Sequence, residues 1–171
     1  MRVKKLIMVM TINFIVITGI GAAEGDSLYT GNFGVNLFGY DTAYLTTGII
    51  YQVEVRDGMD FVVGADFGIH TEKDADGDVQ ADFLVPLRIG LHFPFEGKKI
   101  TFGFGSGLSP CFQNTHDESG AVFLMGPYIN GSVRIKVHPV LSIFFQVQQD
   151  LLFGQPEWIY TGSRFVMGIS F

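Results

Sequence analysis

The stretch that decides the fold is the last one, "YTGSRFVMGISF" (residues 160–171). Large apolar side chains occupy every second position in its final half, at Phe165, Met167, Ile169 and Phe171. A period of two places all of them on one face of a β-strand. Terminal residues are commonly polar and loosely ordered unless the fold holds them, whereas this chain ends on an aromatic residue within the pattern. The sequence therefore predicts a final β-strand with one apolar face.

The same alternation recurs in seven earlier segments, and no segment after the first 23 residues shows the 3.6-residue period of an amphipathic helix. The gaps between segments are rich in Gly, Pro, Asp and Asn, which favour turns. Short and longer gaps broadly alternate, as expected when strands run up and down. We therefore predict eight antiparallel strands, at about 28–38, 45–55, 60–70, 82–93, 99–108, 123–137, 140–152 and 158–171.

The two faces of these strands differ sharply in charge. The apolar face carries no charged residue in any of the eight segments. The opposite face carries glycines, amides and seven charged residues, which are Glu54, Asp66, Arg88, Arg134, Lys136, Asp150 and Arg164. In a soluble, secreted lipocalin-like barrel the apolar face would be the core, whereas in a membrane barrel it would meet lipid.

The composition of the polar face favours the membrane barrel. It has few of the Lys and Glu residues that a solvated surface carries, and its four bases and three acids suit mutual pairing in a confined space. Only a closed barrel satisfies the backbone hydrogen bonds of all strands in lipid. The sequence therefore predicts an all-β, eight-stranded, up-and-down transmembrane β-barrel, with these seven charged residues in an ionic network that fills a closed polar lumen.

This layout resembles that of the small eight-stranded outer-membrane barrels of the OmpX and OmpA transmembrane-domain type. The resemblance covers residues 24–171 and lies in the arrangement of strands rather than in a diagnostic motif. Because no sequence follows the last strand, the OmpX-like minimal barrels are the nearer match. The resemblance implies a location in the bacterial outer membrane, in contact with its lipid. It also implies a signal for the outer-membrane assembly machinery, formed by Phe165, Met167, Ile169 and Phe171.

The first 23 residues have the features of a cleaved signal peptide. Three basic residues precede an apolar run that begins at Leu6, and a small-residue segment ends it at Ala23. A retained anchor is the alternative. The remaining barrel domain, 24–171, has eight bases and 17 acids, a net charge of −9, which argues against nucleic acid as a partner. A single cysteine, Cys111, excludes an internal disulfide.

The segment "EKDADGDVQADF" (72–83) is similar to a calcium-binding loop. Carboxylates at alternate positions precede and follow a glycine, as Ca²⁺ ligands do; they are Glu72, Asp74, Asp76 and Asp78. However, Phe83 stands where such a loop requires a bidentate glutamate. We therefore expect a solvated hairpin tip, with weak Ca²⁺ binding as the alternative and no other cofactor. The outer connections as a group are acidic, which favours a basic extracellular partner.

A second loop, "QNTHDESG" (113–120), contains a histidine, two acids and a serine at 116–119. These are the residue types of acyl-transfer catalysis, and some small outer-membrane barrels are lipid A acyltransferases or deacylases. His70 and Ser106, expected near the outer ends of their strands, are further candidates. Consecutive loop residues rarely converge in catalytic geometry. We therefore predict a non-enzymatic structural or surface-interaction barrel, with a rim-located lipid A-modifying enzyme as the alternative.

Overall fold

The computed structural model of the chain describes residues 27–39, 42–73, 77–115 and 120–171. The predicted signal peptide, 1–23, lies outside the described residues, as do three short internal segments at 40–41, 74–76 and 116–119. No helix in the described ranges is long and apolar enough to cross a membrane.

Eight antiparallel strands close into one barrel. They are β1 (Ser27–Phe38), β2 (Thr42–Arg56), β3 (Met59–Lys73), β4 (Val79–Glu96), β5 (Ile100–Asn114), β6 (Ala121–His138), β7 (Leu141–Phe153) and β8 (Ile159–Ser170). Each strand pairs with the next, and β8 pairs with β1 to complete the ring. The predicted eight-stranded up-and-down barrel is therefore confirmed. Closure leaves no strand edge with unpaired backbone groups, which a barrel in lipid requires.

β5 is longer than the sequence pattern indicated. We expected it to end near residue 108 and the segment 109–120, which includes Cys111, to form a loop, because that segment contains residues that favour turns. In the structure β5 continues to Asn114, with Pro110 in register opposite Met125 of β6. Side chains keep alternating past the proline, so that Cys111 is buried inside the barrel while Phe112 faces outward. The loop assignment of Cys111 is thus wrong.

The apolar face of every strand points away from the lumen. Phe67 and Ile89, near the middles of β3 and β4, are 44% and 46% exposed, whereas Arg88 and Arg164 are each 1% exposed. This distribution is the reverse of a soluble barrel, whose apolar face forms the core. The soluble lipocalin-like alternative is therefore wrong, and the exterior has the apolar band that lipid requires.

The two ends of the barrel differ. At one end, the terminus end, β1 begins, β8 ends and the turns at 57–58, 97–99 and 139–140 lie; at the other, the loop end, β1 is followed by β2, β3 by β4, β5 by β6 and β7 by β8. One two-residue hairpin turn relies on glycine: Gly58, with φ of 72°, follows Asp57 there. In outer-membrane barrels the short turns are periplasmic and the longer loops extracellular.

Candidate functional site in the lumen

The interior of the barrel is stacked in layers from one end to the other. Nearest the terminus end are polar residues that include Gln52, His92 and Arg134. A thin hydrophobic layer follows, formed by Ile50, Val62, Phe144 and Val166. Next is an ionic cluster, formed by Asp66, Arg88, Asp150 and Arg164. Nearest the loop end is an apolar plug, formed by Phe38, Tyr44, Leu84, Cys111, Leu124 and Leu152.

Asp66 is the centre of the ionic cluster. Its Oδ2 atom accepts hydrogen bonds from Nη2 of Arg88 and, at 2.8 Å, from Nη1 of Arg164. Nη2 of Arg164 also lies 3.5 Å from Oδ2 of Asp150. None of the four side chains is more than 2% exposed. Two carboxylates face two guanidinium groups, so the cluster is neutral as a whole, which is the condition for burying charges at tolerable cost.

An amide chain along β7 extends the cluster. The side-chain nitrogen of Gln148 donates to Asp150 at 2.8 Å, and that of Gln146 donates to Gln148 at 3.0 Å. The sequence led us to expect that Arg164 would face these two glutamines. Gln148 is indeed its cross-strand partner, but the guanidinium contacts carboxylates, at 2.8 Å from Asp66 of β3 across the lumen and at 3.5 Å from Asp150 of β7, because these groups neutralise its charge.

Three predicted members of the network lie apart from the cluster. Glu54 and Lys136 are exposed at the terminus end. Arg134 is half-buried and donates from Nη2 to Oε1 of Gln52 at 2.7 Å. A single seven-residue network is therefore wrong. The strand register places these three residues two or more inward-facing positions from the cluster, and at the terminus end water can solvate a charge that has no counter-ion.

A glycine gives Arg88 the space it occupies. Gly64 is the cross-strand partner of Arg88, and a Cβ atom at this glycine would lie 2.8 Å from Cγ and 2.9 Å from Cδ of the arginine. Real side chains do not approach so closely, so the missing Cβ lets the arginine lie across β3 towards Asp66. The abundance of glycine on the polar face thus has a packing role.

The apolar plug was not anticipated from the sequence. Phe38 packs edge-on against Tyr44, with ring centroids 6.3 Å apart, and stacks on Tyr160 at 5.7 Å. The Tyr44 hydroxyl accepts a hydrogen bond from Gln113 at 3.1 Å. The lumen is therefore not polar throughout. The signal was available, because large apolar residues recur on the polar face at the loop-end halves of β1, β2, β4, β6 and β7.

The predicted calcium loop is described only in part. Glu72 and Asp78 are exposed at the loop end, while Asp74 and Asp76 lie outside the described residues. Among the residues that the structure describes, no group of three or more His, Cys, Asp or Glu side chains is placed to hold a metal ion.

The catalytic candidates at the loop end do not converge where they are described. His70 faces the interior, and its Nδ1 lies 3.0 Å from the carbonyl oxygen of Ala43. Ser106 faces outward from the middle of β5, so its expected position near an outer strand end is wrong. The two residues lie on opposite faces of the sheet, because the period-two alternation separates them. Positions 116–119 of the second loop lie outside the described residues.

The terminal motif closes the barrel. Phe165, Met167 and Ile169 point outward from β8. Phe171 exchanges two backbone hydrogen bonds with Tyr29 of β1, both 2.9 Å, and the two rings stack with centroids 6.5 Å apart. The final residue is therefore held by the seam between the first and last strands.

No protein-family model and no curated protein sequence matches the chain. The similar solved structures include three outer-membrane proteins. Neisserial surface protein A superposes with a TM-score of 0.71 at 9% identity, covering 85% of this chain and 96% of that one. Ail of Yersinia pestis, in complex with the heparin analogue sucrose octasulfate, gives 0.57 at 9%, covering 85% and 99%. The N-terminal β-barrel domain of Pseudomonas aeruginosa OprF gives 0.53 at 13%, covering 85% and 98%.

The fold is that of the small outer-membrane barrels. The resemblance inferred from the strand pattern is thus confirmed at the level of architecture. The predicted location in the bacterial outer membrane agrees with this fold and with the apolar exterior that the chain itself presents to lipid.

Proposed function

We propose that the chain is a non-conducting outer-membrane barrel with a structural or surface-interaction role, exerted by binding at its loop end and not by catalysis there. The observation that supports this proposal is the obstruction of the lumen by two layers in series. An ion that crossed would have to separate the salt bridges of the ionic cluster and then lose its water in the apolar plug. Both steps are costly in a low-dielectric interior.

The charge of the loop end indicates the class of partner. Among the described residues at that end, Glu72, Asp78 and Glu157 are exposed beside one base, Lys73, and the sequence between the strands there contains further acids. A surface of one sign attracts oppositely charged partners and repels like-charged ones. We therefore propose a basic extracellular partner, with weakly bound divalent cations as competitors. The polyanion bound to Ail is a ligand that this acidic surface would repel.

The outward side chains of the terminal motif have two proposed partners in succession. The assembly machinery would bind Phe165, Met167, Ile169 and Phe171 during insertion, and outer-membrane lipid would cover them afterwards. Their alternation on one exposed face supports recognition of β8 as an edge strand before its pairing with β1 closes the barrel.

Conductance across a planar lipid bilayer tests the closed lumen. The refolded protein is expected to give no steady current at neutral pH. Leu124→Gly, which opens the apolar plug, is expected to give brief openings, whereas the outward variant Phe33→Ala is the matched control and should stay silent. A large steady conductance from the unaltered protein would refute the proposal.

Binding of fluorescent polylysine to the protein in liposomes tests the loop-end role. Replacing Glu72, Asp78 and Glu157 by their amides should weaken binding at least about threefold, and raising the salt concentration should weaken it further. The control replaces Glu54 and Glu96, exposed at the terminus end, in protein oriented with its loop end outward. Equal polylysine affinity of both sets of variants would contradict a loop-end site. If the acidic surface binds Ca²⁺ to saturation but does not bind polylysine, its ligand is the metal ion and not a basic partner.

A further inference from the structure

At the terminus end of the lumen, a carboxylate and a hydroxyl group contact the imidazole ring of His92. Nδ1 of His92 lies 3.4 Å from Oδ2 of Asp60, its cross-strand partner on β3. Nε2 of the same ring lies 2.9 Å from Oγ of Ser132 on β6. A carboxylate and a hydroxyl thus contact opposite nitrogens of one histidine, which is the order of groups in a nucleophilic triad. These residues come from three different strands.

The convergence depends on the absence of a side chain between β4 and β6. Gly103 of β5 lies between His92 and Ser132, and a Cβ atom there would overlap the imidazole and lie 2.8 Å from the serine Oγ. Inward-facing residues of next-nearest strands are normally separated by the side chains of the strand between them. Gly103 therefore permits the contact between His92 and Ser132, and a side chain at position 103 would disrupt it.

We propose that Asp60, His92 and Ser132 form a triad that hydrolyses small carboxylic esters entering from the terminus end. The Oγ proton of Ser132 moves to Nε2 of His92 as Oγ attacks the ester carbonyl carbon. The carbon–oxygen bond to the alcohol then breaks, and His92 returns the proton to the departing alkoxide. Water then attacks the acyl carbon while His92 takes a proton from it. The bond between that carbon and the serine Oγ breaks, and His92 returns the proton to Oγ, which releases the carboxylic acid and restores the serine.

Arg134 is placed to stabilise the negative oxygen of the intermediate. It follows Ser132 by two residues on the same inward face of β6, and its Nε–H has no hydrogen-bond partner among the described residues. A charged donor fixed beside a nucleophile lowers the energy of the developing oxyanion. Its Nη2 is engaged separately, at 2.7 Å from Oε1 of Gln52, which holds the guanidinium in place.

Asp60 and Gln52 compete for Nδ1 of His92. The amide nitrogen of Gln52 lies 3.3 Å from Nδ1 and donates to it in the tautomer whose proton is on Nε2. Asp60 favours the other tautomer, in which Nδ1 donates to the carboxylate and Nε2 accepts from Ser132. Only the second tautomer can take the serine proton, so Asp60 acts as a positioning residue and Gln52 opposes it.

The site is accessible from one side only. Ser132 is half-buried and the Asp60 side chain is 16% exposed, whereas the hydrophobic layer of Ile50, Val62, Phe144 and Val166 closes the lumen beyond. The proposal therefore has a small ester approach the serine from the terminus end, without crossing the barrel. This site is separate from the loop-end role proposed above, and neither proposal requires the other.

Labelling with a fluorophosphonate ester, which reacts covalently with activated serines, tests the proposal. The full-length chain is refolded in detergent, and folding is verified by its changed gel mobility before boiling. Mass spectrometry is expected to locate the label on Ser132, and Ser132→Ala should abolish it. Ser106→Ala, which removes the outward serine of β5, is the matched control and should label at the unaltered rate. Absence of label on the unaltered protein, or label on another serine, would overturn the proposal.

Two further variants separate a triad from a structural hydrogen-bond cluster. Asp60→Asn should slow labelling about 100-fold, because without the carboxylate His92 no longer favours the tautomer in which it acts as general base. Gln52→Glu should accelerate it at least about twofold, because a carboxylate accepts from both Arg134 and Nδ1–H of His92 and so favours the productive tautomer. A purely structural cluster predicts equal labelling rates in both variants once folding is confirmed, and that result would also overturn the proposal.

Discussion

Replacing Asp66 by asparagine tests the energetics of the lumen most sharply. The substitution changes the side-chain volume very little but removes the negative charge that two arginines share. The new amide group would place a donor against the donors of Arg88 or Arg164. The ionic cluster would change from two acids and two bases to one acid and two bases, inside a layer that is at most 2% exposed.

The expected loss follows from this burial. Breaking a buried ion pair by removing one partner costs about 3–5 kcal/mol, because the remaining charge is left uncompensated. Asp66 contacts two guanidinium groups, so we expect a value near the upper end of that range. Asp150 lies 3.5 Å from Arg164 and can neutralise only one of the two arginines, which leaves Arg88 as the unpaired charge.

Urea unfolding of the barrel in lipid vesicles, followed by tryptophan fluorescence, measures this loss. Glu54→Gln makes the same charge change at an exposed site and should alter the free energy of unfolding by less than about 0.5 kcal/mol. Combining Asp66→Asn with Arg88→Met should recover part of the loss, because Arg164 then retains Asp150. A cost below about 1 kcal/mol for Asp66→Asn alone would refute the buried-cluster reasoning.

Three further predictions concern packing. Gly64→Ala should cost about 1–3 kcal/mol by displacing the adjacent arginine, whereas Gly131→Ala, where a Cβ meets nothing within 4 Å, should be nearly neutral in the same unfolding assay. Leu124→Ala should cost about 2–5 kcal/mol by leaving a cavity in the apolar plug, and a loss under 0.5 kcal/mol would argue against a packed plug. Deletion of Phe171 should reduce the amount of assembled protein in cells, because it removes the two backbone bonds to Tyr29 as well as the aromatic ring. Phe171→Ala separates these causes: unchanged assembly would refute the recognition of the ring.

The outward half of the structure was predictable because lipid imposes one rule on it. Most outward positions are apolar, so the period-two pattern of Phe67, Ile89 or Phe165 is sufficient to assign the face and hence the fold. The pattern also identified the members of the ionic cluster, since a carboxylate or guanidinium on the lipid face would be costly. The length of β5 was harder to predict, because the local sequence does not distinguish a proline within a paired strand, such as Pro110, from a proline in a loop.

The inward half was less predictable because its contacts cross the lumen. Arg164 bonds to β3, which is not its neighbour in the sheet, and His92 contacts Ser132 past an intervening strand. Such pairs depend on strand tilt, on register and on which glycine leaves a gap, and none of these is a local property of the sequence. The apolar plug was also hard to predict from the sequence. Leu124 alternates along its strand in the same way as the inward charged residues, so the alternation alone does not show which layers of the lumen are apolar.

The two faces of the barrel wall have opposite surroundings: the apolar face meets hydrocarbon, and the other face fills the lumen. Fluorescence quenching by lipids with brominated acyl chains tests this directly, with single tryptophans introduced as Phe67→Trp and Phe144→Trp in a Trp158→Phe background. Phe67 faces outward near the middle of β3, and Phe144 is 2% exposed in the lumen. We predict strong quenching at position 67 and little at position 144. Equal quenching at the two positions, or stronger quenching at 144, would contradict the account.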